Sequence, residues 1–120
     1  MKVVCITGSR RWTDRAAIER VLSGAELLIV GDCPTGADRI ATDIAREWDI
    51  IAAVYKADWE TLGKYAGPNR NEAVAARAAL ERAYHMDVSA HAFLMADSKG
   101  TVDCLNRLKV HGFNVEEIRA

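Results

Sequence analysis

The sequence predicts an α/β fold, in which a mostly parallel five-stranded sheet lies between two layers of helices. Short apolar runs of strand length alternate along the chain with segments whose apolar residues recur at helical spacing. The runs are continuously apolar and do not alternate with polar residues, as expected of parallel strands covered on both faces. This β-α-β-α-β-α-β-α-β order is typical of a Rossmann-like three-layer domain.

Each predicted element follows from a local pattern. Strands are expected where β-branched and aliphatic residues form short runs, at residues 2–7, 26–30, 50–55, 91–95 and 113–118. Helices are expected where apolar residues form one stripe, at residues 13–23, 37–48, 69–86 and 99–111. Gly112 is the expected C-cap of the last helix, and Trp48 ends an apolar stripe that should face the core. Residues 58–68 contain two glycines and a proline and are predicted to form a loop.

Length and composition limit the classes of function. With 120 residues, half of them hydrophobic, and no linker or repeat, the chain should form one domain over residues 1–120. Its formal net charge of -1 argues against a nucleic-acid partner, because binding to a phosphate backbone needs a cationic surface. No apolar run approaches the roughly 20 residues of a membrane span, so no membrane partner is expected and a cytoplasmic location is predicted.

Cysteine and histidine spacing indicates neither disulfides nor a metal site. The three cysteines, Cys5, Cys33 and Cys104, are widely spaced and form no CxxC motif. The three histidines also lack metal-ligand spacing, so we expect no metal and no cofactor.

Four polar segments follow the predicted strands and define a candidate binding edge. They read GSRRW at residues 8–12, GDCPTGAD at 31–38, ADWETLGKYAGPNRN at 57–71 and ADSKGT at 96–101. Ligands of open parallel sheets bind at the carboxyl ends of the strands, where the strand order reverses. If the order reverses between the first and fourth strands, the first and fourth segments become neighbours. Arg10 would then help to hold an anion, and Trp12 or Trp59 could stack on a base, with Trp12 slightly favoured.

The second segment carries the glycine spacing of a phosphate loop, at Gly31 and Gly36, without its Lys-Ser/Thr pair. Ala37 and Asp38 stand there instead, which excludes an ordinary nucleoside triphosphatase. The GxGxxG dinucleotide motif is absent as well. The segment is either a backbone N–H site for an anion at a helix N-terminus or a plain turn whose Asp38 offsets the helix dipole.

The third and fourth segments each place polar residues at the start of a helix. Arg70 and Asn71 offer a planar guanidinium and an amide, which can bind phosphate or carboxylate, or can merely cap the helix. Ser98, Lys99, Gly100 and Thr101 could hold a phosphate or form an ordinary capped helix start.

In order and spacing, TGSRRWTD, GDCPTGADRIATDIA, ADWETLGKYAGPNRN and SKGTVDCL resemble the YspA/YpsA-related (YAcAr-like) branch of the SLOG superfamily. The resemblance covers essentially the whole chain and extends distantly to the LOG phosphoribohydrolases and to DprA. It implies a Rossmann-like domain that binds a nucleotide or a nucleotide-sugar, ADP-ribose-type ligand. The positions that match the family's motifs are Gly8, Ser9, Arg10, Gly31, Gly36, Ala37, Asp38, Pro68, Arg70, Asn71, Ser98, Gly100 and Thr101.

One departure from the resemblance separates binding from catalysis. The LOG pattern PGGxGTxxE has its catalytic glutamate where this chain has Cys104, although Arg70 resembles the LOG catalytic arginine. We therefore expect a protein that senses or sequesters its ligand. The alternative is a LOG-like N-glycosidic hydrolase of nucleoside monophosphates that uses Asp38 or Asp103 with Arg70.

The predicted helix 69–86 also has a face of small and apolar residues that could pack on the sheet or on a second subunit in a homo-oligomer. These residues are Ala73, Ala76, Leu80, Ala83 and Tyr84.

Overall fold

A computed structural model describes residues 1–85 and 87–120. The strands are β1 (Lys2–Gly8), β2 (Leu27–Gly31), β3 (Ile51–Tyr55), β4 (Asp87–Leu94) and β5 (Glu116–Arg119). The helices are α1 (Arg15–Leu22), α2 (Ala37–Glu47), α3 (Trp59–Leu62), α4 (Ala66–Tyr84) and α5 (Lys99–Val110), with a 3₁₀ turn at Gly63–Tyr65.

The five strands form one sheet in the order β3-β2-β1-β4-β5, and all four strand pairs are parallel. The predicted α/β three-layer, Rossmann-like fold is confirmed, and its sheet is entirely parallel within the described residues. The chain proceeds outward from β1 to β3 and then returns to the other side of β1 through α4. The strand order therefore reverses between β1 and β4, as the sequence argument required.

Alternate residues of the central strand β1 pack into two separate cores. Val4 and Ile6 lie among buried residues of α1 and α2, including Ile18 and Ile44. On the other face, side chains of β1 pack against α4 and α5; this second core includes Val3, Cys5, Val74, Ala78 and Leu108. Both faces of the central strands are buried, which is why those strands read as continuous apolar runs.

Several predicted boundaries differ from the structure. The segment 58–68, predicted as a loop, contains α3 and the 3₁₀ turn, and α4 already begins at Ala66. Asp58 explains the first of these differences, because its side chain caps α3 by accepting from the Thr61 N–H at 3.2 Å. Pro68 does lie in the first turn of α4. The predicted end of this helix at residue 86 lies outside the described residues. Strand β4 begins before its predicted start, and β5 begins after its own.

One expectation about packing is wrong, and one of the two alternatives for the small-residue face of α4 is removed. Trp48 is 43% exposed, because it lies just beyond the last turn of α2 and not over the sheet. In α4, the face on the sheet is formed by Val74, Ala75 and Ala78, whereas Leu80 and Tyr84 are exposed. A homo-oligomer that uses the exposed face stays a prediction.

Among residues 1–85 and 87–120, none of the helices has the length and apolar character that crossing a bilayer requires.

Candidate functional site

A cleft of about 880 Å³ opens at the carboxyl ends of the strands. It is lined by all four polar segments that the sequence placed at this edge. The predicted site residues that it brings together are Gly8, Ser9, Arg10, Gly31, Asp38, Arg70, Asn71, Ser98, Lys99, Gly100 and Thr101. Its volume lies within the range of clefts that bind small molecules and cofactors, about 300–1,000 Å³.

The loops that follow β1 and β4 are in direct contact. The Ser9 N–H donates to the Phe93 carbonyl at 2.9 Å, and the Arg11 guanidinium donates to the Ala96 carbonyl at 2.7 Å. The Ser9 hydroxyl accepts from the Arg11 N–H at 3.1 Å, which shapes the first loop. The expectation that these two loops are neighbours is thus confirmed, and it follows from the reversal of strand order between β1 and β4.

The N-terminus of α5 enters the cleft without a side-chain cap. Ser98 is the N-cap residue, but its hydroxyl accepts from the Met95 N–H at 3.0 Å and from no N–H of the first turn. At Gly100 an added Cβ would meet nothing within 4 Å. Uncapped N–H groups at a helix N-terminus carry a positive partial charge, so this end of the cleft favours an anion.

A hydrogen-bonded chain centred on Arg70 joins the other elements of the cleft. Arg70 Nη1 donates to Asp32 Oδ1 at 2.7 Å, and Arg70 Nε donates to Asn71 Oδ1 at 3.0 Å. Asn71 Nδ2 then donates to Asp103 Oδ2 at 2.9 Å and to the Gly100 carbonyl at 3.2 Å. The end of β2 and the starts of α4 and α5 are therefore held in one arrangement.

The carboxyl group of Asp103 is held in its charged form. Burial raises the pKa of Asp103, but hydrogen bonds from Arg107 and Asn71 outweigh burial, so the pKa lies below its usual value. The Arg107 Nε–H donates to Asp103 Oδ2 at 2.9 Å. Asp103 thus serves as a fixed acceptor that positions Asn71.

Asp38 is the most deeply buried carboxyl group of the cleft, with 6% of the residue exposed. Burial raises its pKa from 3.8 to about 6; the Cys33 N–H and the charge of Arg70 act in the opposite direction without cancelling this effect. The hydrogen bond from the Cys33 N–H to Asp38 Oδ2 is 3.3 Å long. A carboxyl group with such a pKa can exchange a proton near neutral pH.

Cys104 lines the cleft as a buried thiol. Burial raises the pKa of Cys104 to about 12, so the thiol is neutral at physiological pH. Because the thiolate is the reactive form, Cys104 is unsuited to act as a nucleophile or base.

Trp12 does not belong to the cleft, and the slight preference for Trp12 as the residue that stacks on a base is wrong. The residue is only 4% exposed and packs edge-to-face on Phe93, with ring centroids 5.2 Å apart. Its indole N–H donates to the Asp14 carbonyl at 2.8 Å. Trp12 is therefore a core residue whose polar atom is satisfied within the first loop.

Gly36 and Ala37 support the cleft without lining it. Gly36 has a φ of 75°, and an added Cβ would overlap the Ser9 carbonyl oxygen and the Arg10 backbone. Ala37 is fully buried and donates its N–H to the Ser9 carbonyl at 3.0 Å. These two residues hold the second loop against the first, which is a structural role and not the predicted contact with a ligand.

Sequence reasoning did not select Asp32 and ranked Trp59 below Trp12, yet both line the cleft. The signal for Asp32 was present, because a carboxylate directly after a buried strand lies at the binding edge of a parallel sheet. Its partnership with Arg70 was not visible, since the two residues meet only in the folded chain.

No family model matches the chain. The Gene 61 protein of Mycobacterium phage D29 is 34% identical over an alignment 131 positions long, which covers 96% of this chain and 94% of that protein. Among solved structures, DNA processing protein A (DprA) from Streptococcus pneumoniae superposes with a TM-score of 0.56 at 16% identity. That superposition covers 96% of this chain but only 58% of the DprA chain, and it shows a shared fold. By its identity and coverage, the chain belongs to the same protein family as the Gene 61 protein of Mycobacterium phage D29.

Proposed function

We propose that this protein binds a nucleotide or a nucleotide-sugar, ADP-ribose-type ligand in the cleft, and that it senses or sequesters this ligand. The observation that carries the proposal is the uncapped N-terminus of α5, which lines a cleft at the reversal point of a parallel sheet. The sequence resemblance to SLOG domains supports the same class of ligand, and the fold shared with DprA is consistent with a domain of this type.

In this proposal the phosphate lies at the N-terminus of α5. The backbone N–H groups of residues 99–101 and the Ser98 hydroxyl donate to its oxygens, and the Lys99 ammonium group donates a charge-assisted hydrogen bond to the same phosphate. Arg10 approaches from the loop after β1, which contacts the loop after β4. Four cationic and four acidic side chains line the cleft, so it is no general cationic surface; the cations are Arg10, Arg11, Arg70 and Lys99, and the acids are Asp32, Asp38, Asp97 and Asp103.

Arg70 is assigned to a second polar contact with the ligand. Two of its three nitrogens are engaged by Asp32 and Asn71, and within the described part of the chain Nη2 has no hydrogen-bond partner. A guanidinium group held in this way can donate to a phosphate or ribose oxygen with little further loss of side-chain entropy.

Calorimetry with a matched pair of lysine variants tests the proposal. AMP, ADP, ADP-ribose and adenosine are titrated into the wild type, Lys99→Ala and Lys109→Ala. Lys109 lies on the same helix but at its other end, outside the cleft. We expect the phosphorylated ligands to bind more tightly than adenosine. Lys99→Ala should lower the affinity for the phosphorylated ligands about 10- to 150-fold, because a charge-assisted hydrogen bond is lost. Equal binding of adenosine and AMP, or equal losses in the two variants, would contradict the proposal.

The second candidate function is N-glycosidic hydrolysis of nucleoside monophosphates, and the observation that favours it is Asp38. Its raised pKa, about 6, suits a general acid or base, and the residue lies beside Arg70 in the cleft. Against this candidate, the LOG glutamate is replaced by the inert Cys104. Incubation with AMP, GMP, CMP and UMP followed by chromatography should yield no free base. Steady turnover that disappears in Asp38→Asn would replace the binding proposal with the hydrolase.

A further inference from the structure

Trp59 is an exposed aromatic side chain in a cleft that eight charged side chains also line. It is the first residue of α3, it lines the cleft, and 59% of it is exposed. Within the described residues that line the cleft, no other aromatic side chain is present. An indole of this size in contact with water offers apolar area that a ligand can cover.

The indole lies against α4, and a hydrogen bond anchors the backbone of the segment that carries it. Its edge lies against the first turn of α4, where an added Cβ on Gly67 would approach Trp59 Cη2 to 3.3 Å. Only glycine at residue 67 leaves the ring this much room. The backbone of the segment is anchored two residues before Trp59, where the Ala57 N–H donates to Asp32 Oδ1 at 3.3 Å. Because the same oxygen also accepts from Arg70, the hydrogen-bonded chain centred on Arg70 extends to the segment that carries the ring.

We propose that Trp59 is the stacking platform for the heteroaromatic base of the ligand. This inference rests on the proposed function, which places the phosphate at the N-terminus of α5. A phosphate or a sugar phosphate would fill only part of a cleft of about 880 Å³, so the remaining room and its one aromatic face are available to a base. Every base has a flat π surface, so such a platform accepts all of them. Purines, with the larger ring system, bind more tightly than pyrimidines.

The chain supplies a matched control for this platform. Trp48 is also exposed, at 43%, but it follows the C-terminus of α2 and does not line the cleft. Because Trp48 and Trp59 are both exposed, replacing either removes little packing, and circular dichroism and thermal unfolding will verify that each variant is folded. Trp59→Phe retains a smaller aromatic face at the same place.

The experiment measures the affinities of AMP, GMP, CMP, UMP and ribose 5-phosphate for the wild type, Trp59→Ala, Trp59→Phe and Trp48→Ala by calorimetry. We expect Trp59→Ala to lower the affinity for AMP and GMP about 5- to 150-fold, which is the range for alanine replacement of a base-stacking aromatic residue. Ribose 5-phosphate should bind equally to all four proteins, Trp59→Phe should recover part of the loss, and Trp48→Ala should behave as the wild type. In the Trp48→Phe background, AMP should also quench the fluorescence of the exposed Trp59.

Each other outcome overturns the inference in a distinguishable way. If Trp59→Ala binds AMP as the wild type does, the base does not stack on Trp59, although the proposed function stands. If Trp59→Ala lowers the affinities for AMP and ribose 5-phosphate equally, the ring contacts the sugar phosphate or stabilises the segment that carries Trp59, and it does not stack on the base. If the wild type binds neither the nucleotides nor ribose 5-phosphate, the proposed function fails together with the platform.

Discussion

Replacing Asp38 with asparagine should stabilise the protein above pH 6 and have little effect at pH 4. Asp38 is 6% exposed, and burial raises its pKa from 3.8 to about 6. Between these two values the folded protein holds a proton that the unfolded chain has released. Stability therefore falls as the pH rises through this range, and above pH 6 the folded state bears the full cost of a buried charge.

The size of the effect follows from the separation of the two pKa values. Each pH unit between them is worth 1.36 kcal/mol, so the ionisation of Asp38 lowers the free energy of unfolding by about 3 kcal/mol above pH 6. Asparagine has a similar shape and keeps an oxygen that can accept from the Cys33 N–H, but it cannot ionise. Because the unfolded carboxyl is already partly ionised at pH 4, the difference in unfolding free energy between Asp38→Asn and the wild type should grow by about 2 kcal/mol from pH 4 to pH 7.

Urea denaturation of both proteins at half-unit steps from pH 4 to pH 8 measures this difference directly. Other titrating groups are common to both proteins and cancel in the comparison. Asp43→Asn is the control, since Asp43 lies on the same helix but pairs with Arg39 outside the cleft. A difference between Asp38→Asn and the wild type that stays constant across this range would refute the reasoning, because it would mean that burial does not perturb Asp38.

Two further predictions concern cysteine and glycine. At pH 8 Ellman's reagent should quickly modify only the partly exposed Cys33 in the native protein, because Cys5 and Cys104 are buried and their pKa values are raised; fast reaction of two or more thiols would contradict this. Gly36→Ala should lower the free energy of unfolding by about 2 kcal/mol or more, because φ is 75° and the first loop leaves no room. Gly100→Ala, in open space, should change it by less than about 1 kcal/mol; equal effects in urea denaturation would contradict the argument.

Local patterns were sufficient to predict most of the fold. Strands β1 to β3 and helices α2 and α5 lie within one residue of their predicted bounds, because their apolar periodicity reflects burial directly. The segment before α4 was misassigned, since its glycines and proline suggested a loop. There Asp58 caps α3, and Pro68 occupies a position in the first turn of α4 that proline tolerates.

The choice between the two candidate tryptophans shows where local reasoning ends. Trp12 and Trp59 both follow predicted strands at the binding edge, and nothing nearby in the sequence distinguishes them. Trp12 is buried because it meets Phe93, which β4 brings beside β1. Trp59 stays exposed because α3 lies at the rim of the cleft, against Gly67.

By itself the sequence determined that the sheet is parallel and covered on both faces, and that its polar loops gather at one edge. Both properties depend on residue type and spacing along the chain, which is why they are readable locally. The tertiary structure decided which side chains of those loops line the cleft. It brings Asp32 into a hydrogen bond with Arg70 and buries Asp38. It also packs Gly36 against the backbone of the first loop, so that Gly36 supports the cleft without lining it. These outcomes depend on contacts between segments far apart in the chain, because burial and hydrogen-bond partners, and with them the pKa values of the site, exist only once the elements have packed.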